Sequence, residues 1–298
     1  MRRTLLLISA VFAVAAFGAS SAAAYPVAHS TQQARGQVLR YWTAERMQKA
    51  VPADRDSRAV PAAAKPAKGG GTSTAASTEV PLPYPSAFGK VFFTSNSGVN
   101  YVCSGTALTS ANESLVWTAG HCVNEGPGFN YKNFIFVPAY RDGNAPYGKF
   151  AATTLMTTSG WQASGEFGVD VGAAVVGTSS LSGLTLSDVV DERNIVFNAP
   201  RGQAYQLYGY PAAKKFSGQR LRVCNTSWLL DDTSATPDTM GASCDMTGGS
   251  SGGAWLTSTG FVASVVSYGY SSLRNVLFGP HLETEAQSLY TAATTATP

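Results

Sequence analysis

From about Pro81 onward, short apolar and β-branched runs alternate with turns rich in Gly, Asn, Ser and Pro. Nine such runs read as strands: 91–94, 101–108, 114–118, 133–137, 169–176, 204–210, 221–224, 253–257 and 261–268. Only the last stretch, about 281–293, has the spacing of a helix. Many short strands with one terminal helix predict an all-β sandwich or barrel pair and argue against an α/β sheet. Two barrels sharing an interface account for a folded domain over 81–298, with barrel one at about 84–185 and barrel two at about 190–280.

The part before residue 81 has a different texture. Residues 1–24 carry Arg2 and Arg3, an apolar run from Leu5 to Phe17 and the small-residue exit Ala22, Ala23, Ala24, the pattern of a cleavable secretory signal. The run is too short to span a bilayer, and no later stretch reaches about 18 unbroken apolar residues, so a secreted, extracellular protein without a membrane partner is expected. Residues 31–50 form a polar, helix-prone segment with Val38, Leu39, Trp42 and Met47, whereas 59–78 are Ala, Pro, Gly, Ser and Thr with almost no large apolar side chain. A tract of that composition buries too little surface to offset its ordering entropy and reads as a linker. Residues 25–80 are therefore expected to be a removable pro-segment and linker, with Arg55, Arg58, Lys65 and Lys68 as cleavage points; a plain N-terminal tail is the alternative.

Charge and cysteine usage narrow the class. The chain carries a net +3, but from residue 81 onward 11 Lys and Arg stand against 14 Asp and Glu, a balance of −3. Without clustered cations on the folded part, no nucleic-acid partner is expected. Cys103, Cys122, Cys224 and Cys244 in an exported chain imply two disulfides. Three connectivities exist, and the spacing favours the local loops Cys103–Cys122 and Cys224–Cys244. No Cys-x-x-Cys pair or histidine cluster accompanies them, so neither a metal nor an organic cofactor is expected.

Three segments carry chemistry. Thr118-Ala119-Gly120-His121-Cys122 follows a predicted strand and would present an imidazole at a barrel rim, and His121 is the only histidine between residues 30 and 280. Gly248-Gly249-Ser250-Ser251-Gly252-Gly253 offers what a nucleophilic serine needs, a sharp backbone turn with free N–H groups. Ser250 and Ser251 both fit a loose Gly-x-Ser-x-Gly pattern, and the glycine pair directly after Ser251 selects it. Asp170 opens an apolar run, Val169-Asp170-Val171-Gly172-Ala173, so its charge will be buried and requires a partner. Protonated His121 suits that role, whereas Asp142, Asp188 and Asp191 lie in polar surroundings. The order His, Asp, Ser excludes the α/β-hydrolase order of Ser, acid, His.

These three segments in this order, with Cys103 and Cys122 beside the histidine, resemble the trypsin-like, chymotrypsin-fold serine peptidase family over about residues 84–280. Gly209-Tyr210-Pro211 and Thr247-Gly248-Gly249-Ser250-Ser251 look more like its bacterial glutamyl-endopeptidase-like branch, and residues 41–47 resemble pro-regions of secreted bacterial peptidases. The resemblance implies a monomeric endopeptidase acting on protein or peptide, with Gly249 and Ser251 N–H groups as the oxyanion hole and Ser267, Tyr268 and Gly269 as the strand that binds substrate. It also offers Asp245, six residues before Ser251, as a pocket acid for basic residues, with a loop carboxylate as the alternative. Two departures stand out: Ser250 replaces the aspartate that trypsin uses for activation, and Val266 stands where glutamyl endopeptidases carry a histidine. The rival expectations are an inactive binding protein or an exported esterase on the same fold.

Overall fold

A computed structural model describes residues 25–53 and 75–298; the expected signal and the four expected cleavage points lie outside the described residues. The N-terminal segment contains β1 (Val27–Ser30), α1 (Arg35–Tyr41), α2 (Ala44–Lys49) and β2 (Val51–Pro52). After β3 (Thr78–Glu79), the first barrel is built from β4 (Phe88–Thr94), β5 (Asn100–Leu108), β6 (Leu115–Thr118), β7 (Lys132–Pro138), β8 (Phe150–Thr157) and β9 (Gly172–Val176), with α3 (Ser159–Ser164) between the last two. The second comprises β10 (Ala204–Gly209), β11 (Arg222–Asp232), β12 (Thr239–Ser243), β13 (Ala254–Leu256), β14 (Val262–Val265), β15 (Tyr268–Tyr270) and β16 (Leu273–Pro280), followed by α4 (Thr284–Ala293).

Strands β8-β7-β4-β5-β6-β9 form a ring that a β8–β9 ladder closes, so barrel one has no free seam between its ends. The second sheet runs β14-β13-β10-β11-β12-β16-β15 as a half-closed barrel, and β3 adds to β11. Its ends are drawn together where Ser267 N donates to Phe278 O and Ser264 Oγ to Pro280 O. This is the all-β, two-barrel architecture with a C-terminal helix that the strand pattern predicts.

Burial explains why several strands lack polar alternation. All four residues of β6 are buried, because one face fills barrel one and the other lies under α4, whose Leu289 is fully buried and whose Tyr290 meets the Trp117 ring edge-on at 6.4 Å. The barrels meet through rings, with Phe88 stacked on Tyr208 at 4.2 Å and Tyr140 edge-on to Tyr210 at 6.1 Å. Both expected disulfides are present, Cys103–Cys122 and Cys224–Cys244.

The differences from the predicted elements have local causes. The expected strand 169–176 starts only at Gly172, because residues 167–169 form a single 3-10 turn that leaves Asp170 outside the ladder. The expected helix over 31–50 is divided at Trp42, and Thr43 caps the second piece by accepting from Arg46 N at 3.2 Å. The last helix begins at Thr284, after His281. Strand β11 is far longer than the predicted 221–224, since Asn225 and Ser227 face solvent and dilute the apolar signal. Among the described residues, no helix is long and apolar enough to cross a membrane.

A buried lysine sits in barrel one. Lys90 is 1% exposed, its Nζ donates to Gly218 O at 2.7 Å, and it lies over the rings of Phe92 and Tyr140. Burial pushes its ammonium down to about 7 from 10.5. A lysine whose folded pKa is depressed binds fewer protons folded than unfolded between those values, so its contribution to stability rises as pH climbs from about 7 to about 10.5. Lys90→Met is therefore expected to lose this increment. Its unfolding free energy relative to wild type, followed by denaturant titration, should decline steadily across that pH window, and a constant difference would contradict the buried-lysine account.

Candidate active site

Strand β6 ends at Thr118, and Gly120–Cys122 then make one 3-10 turn that carries His121 to the rim, 4% exposed. The turn is fixed from two sides: Cys122 is bonded to Cys103 of β5, and Thr118 Oγ1 donates to Ser104 O at 2.8 Å. The Trp161 ring of α3 lies 6.1 Å from the imidazole.

Asp170 is fully buried and has three donors. His121 N reaches Oδ1 at 2.8 Å, His121 Nδ1 reaches Oδ2 at 2.7 Å, and Ser267 Oγ also donates to Oδ2. The loop around it hangs from the end of β8, where Thr157 Oγ1 donates to Val171 O at 2.8 Å and Thr158 Oγ1 to Val169 O at 2.5 Å. Burial alone would raise the Asp170 carboxyl pKa, but the His121 charge and these hydrogen bonds outweigh it and hold it below the usual carboxylate range. Asp170 thus stays ionised, with one oxygen on Nδ1 of the His121 ring.

Ser251, 6% exposed, sits between two glycines in the left-handed region, Gly249 at φ +91° and Gly252 at φ +79°. The neighbouring Ser250 Oγ is occupied, donating to Thr247 O at 2.7 Å, and Ser250 is 1% exposed. Ala212 N donates to Gly248 O at 2.6 Å, so across that trans peptide the Gly249 N–H points away from Ala212. Gly252 N donates to Val266 O and Val266 N to Gly253 O, which stitches the serine loop to the segment leading into Ser267.

Ser104 links the two barrels at this point. It is 1% exposed; its N–H donates to Ser251 O at 2.7 Å, its Oγ donates to Gly249 O at 2.9 Å and accepts from Tyr210 N at 2.9 Å. Nothing in a single sequence marks it beyond its place next to Cys103.

The expected substrate-binding residues divide. Ser267 is within the site, where its hydroxyl donates to Asp170, a contact that no local sequence signal reveals. Tyr268 and Gly269 are half-buried and continue from it; the Tyr268 hydroxyl donates to Asp232 Oδ2 at 2.7 Å and shares a hydrogen bond with Thr239 Oγ1. The Asp245 carboxylate has both oxygens engaged: Oδ1 by Ser77 N and Oδ2 by Lys215 Nζ, each at 2.7 Å. Burial would raise its pKa, but Lys215 and Ser77 lower it overall.

No protein-family profile and no curated protein matches the chain. Solved structures do. The protease Anisep from Arthrobacter nicotinovorans is 46% identical with a TM-score of 0.67, over 71% of this chain and 96% of its own. The thermostable serine protease AL20 from an extremophilic microorganism is 43% identical with a TM-score of 0.66, over 71% of this chain and 99% of its own. A Glu endopeptidase, 21% identical with a TM-score of 0.58 over 74% of this chain and 97% of its own, shares the fold. Two proteases above 40% identity across nearly their whole length, on a two-barrel fold with a histidine, an aspartate and a serine loop at the barrel junction, leave one assignment: the chain belongs to the trypsin-like, chymotrypsin-fold serine peptidases.

Proposed function

We propose that the protein is a secreted serine endopeptidase that cleaves peptide bonds through an acyl-enzyme, with His121 as general base, Asp170 as its orienting acid and Ser251 as nucleophile. The observation that carries this reading is the fully buried Asp170 carboxylate on Nδ1 of the only histidine near a serine loop. Ser251 Oγ attacks the scissile carbonyl carbon while His121 Nε2 takes its proton. The negative charge on the carbonyl oxygen is stabilised by the N–H groups of Gly249 and Ser251, a role supported by a Gly249 N–H that faces away from Ala212. His121 then returns the proton to the leaving amine, and water enters by the same route in reverse to release the acid. Asp170 holds the tautomer and stabilises the imidazolium without itself taking the proton. Secretion is supported by the signal-like leader and the two disulfides.

Ser267, Tyr268 and Gly269 remain the proposed strand that pairs with substrate. For Asp245 the engaged carboxylate supports the loop reading, in which it anchors residues 75–77 to barrel two, over a pocket acid for Arg or Lys.

Four outcomes are expected. A fluorophosphonate should label folded protein on Ser251, located by mass spectrometry, and Asp170→Asn should lower kcat by about 10⁴-fold with the fold retained; an adduct on Ser250 would overturn the assignment. Ser104→Ala, which frees the Gly249 carbonyl, should lower kcat about tenfold with KM little changed, less than the roughly 10²–10³-fold of losing a whole oxyanion donor. Asp245→Asn should leave the relative kcat/KM on matched Arg, Glu and Phe peptides unaltered; a selective collapse on Arg would restore Asp245 to the pocket.

A further inference from the structure

The sheet of barrel two ends on β15, which pairs with β16 along one edge and carries no strand on the other among the described residues. The ladder that holds it is thin: Tyr268 stands opposite Phe278 and Tyr270 opposite Leu273, with an irregularity between them. An edge strand offers its N–H and C=O groups to an incoming extended chain, and it binds that chain more tightly when its own backbone is already fixed. Two ladder pairs restrain such a strand weakly.

A further restraint comes from a buried carboxylate that the proposed chemistry does not use. Asp232, the last residue of β11, has no exposed surface. Its Oδ1 accepts from Ser234 N at 3.0 Å and Ser234 Oγ at 2.6 Å, a local turn of the kind that aspartate commonly makes. Its Oδ2 accepts from the hydroxyls of both Tyr268 and Tyr270. The Tyr268 hydroxyl spends its one proton on Asp232, so in its 2.6 Å contact with Thr239 Oγ1 the threonine donates. An exposed aspartate would close the same turn, whereas burying the charge is tolerated only with its full set of donors. The two tyrosines of β15 complete that set.

Aromatic rings carry the restraint to the site. Tyr268 packs on Phe278, stacked at 5.1 Å, and on Phe167 at 4.4 Å, and it meets Tyr270 edge-on at 5.4 Å. Phe167 opens the 3-10 turn that leads to Asp170. The turn after Asp232 packs on the same segment: Thr236 N donates to Glu166 Oε1 at 3.1 Å, and a Cβ on Gly168 would overlap the Pro237 carbonyl oxygen. Residues 267–270 are thus tied to one buried carboxylate, Asp170, through Ser267 and to a second, Asp232, through Tyr268 and Tyr270.

We propose that Asp232 is a positioning residue for substrate: through the Tyr268 and Tyr270 hydroxyls it fixes the edge strand, so that a peptide long enough to pair with this strand is bound better than a single residue. The proposal rests on the reading of residues 267–269 as the strand that pairs with substrate.

The test compares two anilides with the same residue before the scissile bond, whichever of Arg, Glu or Phe the wild type cleaves best. One is the N-acetylated single residue, and the other is extended by three alanines on the acyl side. The ratio of their kcat/KM values, the extension gain, should fall at least about tenfold in Asp232→Ala, chiefly through the KM of the longer substrate, while the fluorophosphonate labelling rate stays within about threefold of wild type. Added to the pair Tyr268→Phe and Tyr270→Phe, Asp232→Ala should lower the gain by less than about twofold more, because its effect passes through those hydroxyls. An unchanged gain in Asp232→Ala, a fall in labelling as large as the fall in gain, or full additivity with the tyrosine pair would overturn the positioning role and leave a structural tie. A wild type that cleaves the longer anilide no better than the short one would instead remove the strand reading, and the proposal with it. Should Asp232→Ala not fold, Tyr270→Phe decides: a gain at least about threefold lower is expected from losing one hydroxyl on the carboxylate, and an unchanged gain overturns the proposal.

Discussion

A carboxylate with no exposed surface governs the architecture. Removing an ion such as Asp170 from water costs several kcal/mol unless hydrogen bonds and a counter-charge replace the lost solvation. Here the replacements come from different parts of the chain: two from the His121 turn in barrel one, and one from Ser267, which belongs to barrel two. Neither barrel alone can satisfy the charge. The packing of the barrels and the alignment of His121 are therefore one requirement, met at one carboxylate, and the depressed pKa of Asp170 is the electrostatic sign that it is met.

The serine loop is subject to the same logic through neutral groups. Gly249 and Gly252 give it a backbone that only glycine adopts readily, which leaves the loop free to take other shapes. Ser104, from the strand that also bears Cys103, removes that freedom by bonding to the carbonyls of Gly249 and Ser251 at once. Two side-by-side residues of β5 thus restrain both halves of the site, Cys103 through the disulfide beside His121 and Ser104 through the loop of Ser251. Burial makes these bonds hard to break, since each break would leave a polar group unpaired away from water.

What is legible in the sequence follows from how local each constraint is. A tight serine turn needs its glycines within two residues, and a buried acid needs apolar neighbours, so Ser251 and Asp170 stand out in short windows. Strands β8, β12 and β16 do not. Phe150–Thr157 lacks a polar and apolar alternation, Thr239–Ser243 is mostly small residues, and Leu273–Pro280 includes Arg274 and Asn275, so no run stands out. Ser104 is invisible at that level because its partners lie 106 and 145 residues away. Trp42 reads as one apolar residue on a polar helix, since the gap it helps to fill is formed only when β7 and β8 diverge.

Asp170 and Asp245 show why position relative to the nucleophile is weaker grounds for a role than surroundings are. Both carboxylates are held below their usual pKa against the pull of burial. Asp245 commits its two oxygens to a lysine and a backbone N–H, and the second contact ties residues 75–77 to barrel two. Asp170 instead places its two oxygens on the backbone N–H and the ring of His121 and on the Ser267 hydroxyl. The same residue type and the same direction of shift thus occur in two different settings, a tie between segments in one place and a wholly buried junction of the two barrels in the other.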